Sequence, residues 1–484
     1  MGGGRPAAHA HVSTNQKIRG NRMSTMSGEN VSIREPSREV PVAGSYDVVV
    51  CGGGPSGLIA AVAAARNGAK TLLIERYGFV GGMSTSALVT PISEFRHFGK
   101  QHIGGIPFEL LKMAADLGGA NVTLESGNFP VNDEILKLAA QRLLLESGVT
   151  LLYHTWFADC AMDGNRVTHV IVQNKAGRVA YEAKVFIDCT GDADLVRAAG
   201  FPTVKGEVLQ PASLWFQLGG VDTDALAYLF GDAVDGMLPV SDVIRGRLLE
   251  LNAQGDIPIF GGPWINKFFH DGMVSINLLR EATDASDPVW FTRTECSLRE
   301  NLHLIIGILR REFPEFRNCW LAKSGIQTGV RESYHIVGLY KLRKDDILVP
   351  KAFPDTIAKG AHVIDIHASD SNEQNDLVIP RQEYNVPFRC LVPKGSVNLV
   401  TAGRCLSADG PGFGSVRVMA TCMAMGQGAG TAAALSVEHG YSMSRMNFEH
   451  LRETLIEQGA VVDFDNVINP EAPIELLEYP AVRA

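Results

Sequence analysis

Three glycines at positions 52, 54 and 57 directly follow the run Tyr46-Asp-Val-Val-Val-Cys51, and a carboxylate, Glu75, stands 18 positions after the last of them. This is the G-x-G-x-x-G spacing: the first glycine permits a tight turn, the second lets the backbone approach a pyrophosphate, and the third lets a helix pack close on a strand. Ser56 lies inside the turn, at a helix start whose N–H groups face the phosphates. An acid that far downstream is placed for a ribose 2′-OH. The chemistry is that of a bound dinucleotide, and NAD and FAD share this fingerprint.

A second set of residues has types suited to catalysis. Arg331 and Tyr334 stand in Gly329-Val-Arg-Glu-Ser-Tyr334, where Arg331 could clamp a substrate carboxylate and Tyr334 donate a proton. The alternative is a structural Arg331–Glu332 pair. His367 ends the run Val363-Ile-Asp-Ile-His367. Strand alternation puts Asp365 on the same face, as an acid or base imidazole oriented by a carboxylate requires; a buried structural histidine is the alternative. His97 and His102 lie in a loop expected near the cofactor. The Glu-x-x-His spacings at Glu94–His97, Glu300–His303 and Glu332–His335 read as chance, and with neither H-E-x-x-H nor a cysteine pair no metal site is expected. G-x-S-x-G is absent too, which argues against a serine hydrolase.

Residues 47–51 make a strand buried on both faces, 58–67 a helix, and Lys70–Glu75 the next strand. A helix is expected near 107–117. Another opens at Asp133-Glu134 and closes at Gly148, and Val149–Tyr153 forms a parallel strand after it. Arg166–Asn174 and Tyr181–Asp188 read as a hairpin. An apolar helix is expected near 298–312. After a strand ending in Ala402-Gly-Arg404, a long helix is expected from Ser415, with Gly426 and Gly430 spaced so that another backbone can pass close.

The loop Arg76-Tyr-Gly-Phe-Val-Gly-Gly-Met-Ser84 resembles the segment that carries the chain under the flavin in two-domain flavoproteins of the glutathione-reductase type. That resemblance implies FAD rather than NAD, with Arg76, Gly82 and Met83 at the cofactor. Thr190-Gly191-Asp192 resembles the second nucleotide contact of FAD proteins, although it also reads as an ordinary turn. Together with Gly329–Ser333, Phe353–His367, Pro387–Pro393, Gly403-Arg404, Ser415–Met419 and Gly426–Thr431, these segments resemble the bacterial FAD-dependent oxidoreductase family related to thiazole-synthase and fumarate-reductase-like flavoproteins.

The resemblance spans residues 46–436. It implies an α/β fold, with a Rossmann-type FAD/NAD(P)-binding domain of the glutathione-reductase type and an inserted α+β substrate lobe rich in strands. It also implies non-covalent FAD, with NAD(P)H or another electron partner. Where many relatives carry Thr-His, this chain has Asp409-Gly410, so a histidine role cannot be carried to that position. Asp409 is expected instead to orient the glycine-rich turn Gly410–Gly414 or to act as a local base. The helix start at Gly414-Ser415 is expected to face developing negative charge on the flavin.

Length and composition agree. A chain of 484 residues, 45% hydrophobic and 20% charged, is long enough for two or three lobes. A formal charge of −9 gives no basic field for nucleic acid or anionic membrane, and the eight cysteines are scattered as small buried residues. The expected organisation is a disordered segment 1–45, FAD-binding parts at 46–204 and 391–440, a substrate lobe at 205–390, and a helical or extended tail at 441–484. The expected function is cytoplasmic hydride transfer between flavin N5 and a small organic substrate. A flavin monooxygenase and a non-redox FAD-binding or assembly protein are the alternatives, and self-association into a homo-oligomer is left open.

Overall fold

The computed structural model of the chain describes residues 32–97, 100–124, 126–230, 237–238, 242–462 and 477–478. Most of the expected N-terminal segment, and residues 463–476 and 479–484 of the expected C-terminal tail, lie outside the described residues. The chain divides into two units between Glu39 and Val40. In the first, residues 32–39 carry no helix or strand.

The second unit begins with β1 (Val42–Cys51), α1 (Pro55–Arg66), β2 (Thr71–Ile74), α2 (Gly105–Asp116), α3 (Asp133–Glu146), β3 (Thr150–Leu152), β4 (Trp156–Asp163), β5 (Arg166–Asn174) and β6 (Gly177–Asp188). Val48, Val49, Val50 and Cys51 are fully buried because β1 is central: β2 and β6 flank it, both parallel. The sheet order is β3-β2-β1-β6-β5-β4, with Leu399–Thr401 also beside β6. β1 starts at Val42, ahead of the expected boundary at 46. Its outer half pairs with the start of β6 and is largely solvent-facing, so it carries no apolar run to betray it. α3 is capped by Asn132, whose side chain accepts from Glu134 and Ile135 N–H and so satisfies donors that the first turn leaves open.

The inserted lobe is built on β7 (Ala212–Gly219), β8 (Phe260–Lys267), β9 (Val274–Glu281), α4 (Pro288–Glu312) and β10 (Trp320–Ser324). Its antiparallel sheet runs Met237–Leu238, β8, β9, β7, β10. It has its own core, including Phe216, Phe260, Ile276, Leu302 and Ile305. α4 begins ten residues before the expected start, because its first turns expose Val289 and Trp290 and the apolar stripe appears only from Leu298. Asp287 caps it.

The lobe's core ends at Cys319, and from Leu342 the side chains join the large first core, among them Ile347, Ile357, Ile364, Tyr384 and Val386. The chain therefore returns well before residue 390. The boundary was hidden because Thr356–Gly360 and Tyr384–Pro387 form a short antiparallel pair that reads like more of the inserted sheet. Three further strands lie between residues 334 and 379: β11 (Tyr334–Ile336), β12 (Ile364–His367) and, antiparallel to β12, Gln374–Ile379.

The expected long helix from Ser415 is two helices, α5 (Gly410–Val416) and α6 (Met419–His439), separated by an extended Val418. They answer to different partners. Gly414 of α5 lies against β12, where an added Cβ would stand 3.1 Å from Ile366, whereas α6 packs on α1. At Gly426 and Gly430 an added Cβ would fall 2.2 Å from the carbonyl oxygens of Ser56 and Ala60, the close backbone approach expected of that pair. Among the described residues no helix is long and apolar enough to cross a membrane.

Candidate active site

The expected site residues fall into two groups. The first surrounds the turn from β1 into α1. Gly52 has φ +98°, and a Cβ there would meet the Cys189 carbonyl oxygen at 2.4 Å; at Gly57 it would meet the Gly52 oxygen at 1.9 Å. Both positions need glycine for packing within the protein. At Gly54 an added Cβ meets nothing within 4 Å, and Gly54 gives α1 no side-chain cap. The turn thus presents open space and helix N–H groups, as a pyrophosphate requires.

Ser56 donates to the Ala402 carbonyl at 3.0 Å and ties the turn to the end of the strand Leu399–Thr401. Gly82 lies over the same turn, with an added Cβ 2.8 Å from Gly54 Cα, and Met83 packs against the core beside it. Glu75 is buried at the end of β2, where its oxygens accept from Gly53 N–H at 2.7 Å and Tyr77 N–H at 2.9 Å. Burial raises its pKa against those hydrogen bonds. Each oxygen keeps a second lone pair for a ribose hydroxyl.

Arg76 stacks over Tyr77 and Trp156, 4.9 and 5.2 Å from the ring centroids. Gly191, at φ +86°, leaves room for the Arg404 guanidinium. Arg404 in turn reaches Asp192 at 3.2 Å, and an added Cβ at Gly403 would strike Ser56 Oγ at 2.6 Å. Arg404 Nη1 is buried with no partner. An open glycine face, an uncapped helix start, a strand-end carboxylate and an orphaned guanidinium N–H together fit a dinucleotide.

The second group gathers around β12. Asp365 and His367 share a face as expected, with Nε2 of His367 3.0 Å from Asp365 Oδ2. Arg417, between α5 and α6, donates to the same oxygen at 3.2 Å and to the Asp365 carbonyl at 3.1 Å. Arg280 of β9 places Nη1 3.5 Å from His367 Nδ1 and gives Nη2 to the carbonyls of Ser371 and Glu373. Trp264 of β8 stands edge-on to the imidazole, ring centroids 5.8 Å apart.

Arg331 completes the group. Its Nη1 donates to the Pro211 carbonyl at 2.7 Å and to Ser213 Oγ at 2.8 Å, while Glu332 accepts from Gln210 N–H and faces His335. The Arg331–Glu332 pair is therefore not what holds Arg331. Burial, and then the Arg331 charge, push the His367 pKa down to about 4, so its imidazole is neutral at pH 7. Burial pushes the Asp365 carboxyl upward, but His367 and Arg417 outweigh it and hold the acid well below the usual range. Burial and Arg417 lower Arg331 to about 9, which leaves it charged at neutral pH.

Three expectations are corrected. Tyr334 stands apart from this cluster on β11, its ring between Arg197 and Lys205 at 4.0 and 4.8 Å, because its strand pairs with Thr203–Lys205. Ser415 has no exposed surface, and its hydroxyl bridges Tyr384 and the His362 carbonyl, so it braces α5 from inside. The glycine-rich segment expected as a turn is α5 itself. Asp409 is its N-cap, accepting Gly412 N–H at 2.7 Å and Lys344 N–H at 3.2 Å; both oxygens hold backbone, which fits the orienting role.

Glu94–His97 and Glu332–His335, whose spacing read as chance, do form acid–imidazole pairs, at 3.0 and 3.4 Å. His97 also meets the Pro380 carbonyl. His102 is buried, with neither nitrogen hydrogen-bonded, and burial pushes its pKa down to about 4.

Arg280 and Arg417 were given no role by sequence reasoning. Arg280 did carry a weak signal, a charge directly after Leu278-Leu279 near the end of a strand that is buried on both faces, where an arginine requires a reason. Arg417 carried none, since it falls inside the single helix expected from Ser415, where no neighbour in the sequence marks a partner for its charge.

The pattern describing the family "FAD dependent oxidoreductase" matches residues 47–455. A dihydrolipoyl dehydrogenase of Trypanosoma brucei brucei is 25% identical over 402 residues, covering 75% of this chain and 79% of that protein. Among solved structures, a geranylgeranyl bacteriochlorophyll reductase-like protein of Thermoplasma acidophilum is 15% identical, with 86% and 84% of the two chains covered and a TM-score of 0.46. The p-nitrophenol 4-monooxygenase of Pseudomonas putida is 12% identical, with 83% and 82% covered and a TM-score of 0.44.

Proposed function

We propose, from the premise that the chain belongs to the family of FAD dependent oxidoreductases, that this enzyme moves a hydride between flavin N5 and a small organic substrate lying against β12. The observation that carries the proposal is the buried Asp365–His367 pair, 3.0 Å apart, on the strand that Gly414 of α5 approaches closely. Gly52, Gly54, Ser56, Gly57, Glu75, Arg76, Gly82, Gly191, Asp192, Gly403 and Arg404 would hold FAD. When bound, FAD supplies the two-electron donor or acceptor, and the protein supplies orientation and proton transfer.

With Asp365 accepting from Nε2, the ring nitrogen left to exchange a proton is Nδ1 of His367, and Arg280 Nη1 stands 3.5 Å from it. Burial and the Arg331 charge keep the imidazole neutral at pH 7 and make it a weak base, and Asp365 offsets them only in part, so proton uptake at Nδ1 is confined to the reaction itself. Trp264 and the buried walls of β8 and β9 keep water from the pair.

The test is anaerobic mixing of oxidised holoenzyme with candidate substrates. Bleaching of the flavin band without oxygen, slowed by about 100-fold or more in His367→Gln, is the expected result. Product that forms only when oxygen is admitted, carrying an oxygen atom from it, would replace hydride transfer with monooxygenation. Bound flavin inert to every reductant and substrate would favour a non-redox role.

A further inference from the structure

Three guanidinium groups, Arg280, Arg331 and Arg417, act on the Asp365–His367 pair, and among the described residues the carboxylate they share is that of Asp365. The other hydrogen bonds of these arginines go to neutral groups: Arg280 to the Ser371 and Glu373 carbonyls, Arg331 to the Pro211 carbonyl and Ser213, Arg417 to the Asp365 carbonyl and Gln210. Carbonyl oxygens satisfy N–H directions but leave the charge in place. Arg245, bonded to the carbonyls of Gly262 and Asn372, adds to the positive field on Arg280.

Among the described residues, two N–H groups of the cluster have no acceptor. Nε of Arg280, a residue only 4% exposed, and Nε of Arg417 are both buried and unpartnered. Three buried cations around one carboxylate are costly without a further anion, so this side of the molecule is arranged for an anion that the described residues do not provide. We propose that Arg280, Arg331 and Arg417 form the receptor for a small organic carboxylate, and that the enzyme's substrate is of that class, with one or two carboxyl groups.

The planar forks of arginine match the two oxygens of a carboxylate. Held there, the substrate has its reacting carbon beside His367 and its uncharged part against Trp264. This substrate class rests on the reading of β12 as the substrate side of the flavin, whereas the receptor itself does not.

The experiment is calorimetric titration of the FAD-loaded protein with sodium malonate, succinate, glutarate and acetate at constant ionic strength. The flavin spectrum is recorded in parallel, and succinamide and inorganic phosphate serve as comparison ligands. Saturable binding of at least one carboxylate, none of the diamide, and a dissociation constant raised about tenfold or more in Arg331→Lys and Arg280→Lys is the expected result. Equal FAD content and melting temperature show that these variants are folded.

No heat with any carboxylate, phosphate bound as tightly as the best carboxylate, or dissociation constants unchanged in both variants would each overturn the proposal. Arginine-dependent carboxylate binding that leaves the flavin spectrum untouched would keep the receptor but separate it from the flavin, and so remove the hydride-transfer reading instead.

Discussion

Replacing Gly426 by alanine tests how the helix packing serves the cofactor. The added Cβ would lie 2.2 Å from the Ser56 carbonyl oxygen and 3.0 Å from Ser56 Cα, where carbon contacts normally sit at about 3.5 Å or more. α6 and α1 must therefore part by about 1 Å. Overpacking of that kind costs about 1–3 kcal/mol, and the better helix propensity of alanine returns about 1 kcal/mol, so the net loss is about 0–2 kcal/mol.

The displaced residue is not neutral in its consequences. Ser56 sits between Gly54 and Gly57 and is hydrogen-bonded to Ala402, so pushing it moves the phosphate turn. Gly430→Ala makes an equal clash, 2.2 Å from the Ala60 oxygen, but one helical turn away from that loop. Both variants should lose stability alike in denaturant titrations of the FAD-free protein. Only Gly426→Ala should weaken FAD strongly, by about tenfold or more, measured by quenching of flavin fluorescence as apoprotein is added. Wild-type stability and wild-type FAD affinity in Gly426→Ala, or equal loss of FAD in both variants, would refute the local account.

Gly54→Val should fold normally, since an added Cβ meets no protein atom within 4 Å, yet be purified without flavin; a yellow variant would remove the pyrophosphate from this turn. Asp409→Asn keeps the shape of the cap but puts an amide NH2 where one carboxylate oxygen accepted a backbone N–H, so α5 should weaken by about 1 kcal/mol while turnover per bound flavin stays unchanged; lost turnover with full FAD would restore the base role. His102 has its pKa lowered from 6.5 to about 4, so the folded state resists protonation that the unfolded chain accepts. Wild-type stability relative to His102→Leu should fall as the pH drops from 6.5 to 4, by up to about 3 kcal/mol, and a pH-independent difference between the two unfolding curves would show that His102 titrates normally.

The nucleotide half was legible because it is local. Gly52, Gly54, Gly57 and Glu75 lie within 24 consecutive residues, and each has a steric or polar duty that only its own residue type performs. Gly426 and Gly430 were legible for the same reason, since glycine in a helix interior is unfavourable unless a backbone passes close. The Asp365–His367 pair followed from strand alternation alone. Element boundaries were less visible: β1 before Tyr46 and α4 before Leu298 are solvent-facing, and a half-exposed element leaves no apolar run. The expected single helix from Ser415 hid a break at Val418, because both halves are rich in small apolar residues and only their separate partners tell them apart.

What the sequence alone determined is the dinucleotide turn, the α/β class and the identity of one acid–imidazole pair. These depend on spacings of a few residues, over which backbone geometry is periodic. The tertiary structure decided which charges meet. Arg280, Arg331, Asp365 and Arg417 come from β9, the segment before β11, β12 and the junction of α5 with α6, separated by up to 137 positions in the chain. Tyr334, only three residues beyond Arg331, is turned away by its own strand pairing. Charge–charge contact depends on distance in space, and the folded path of the chain sets that distance where no local periodicity can.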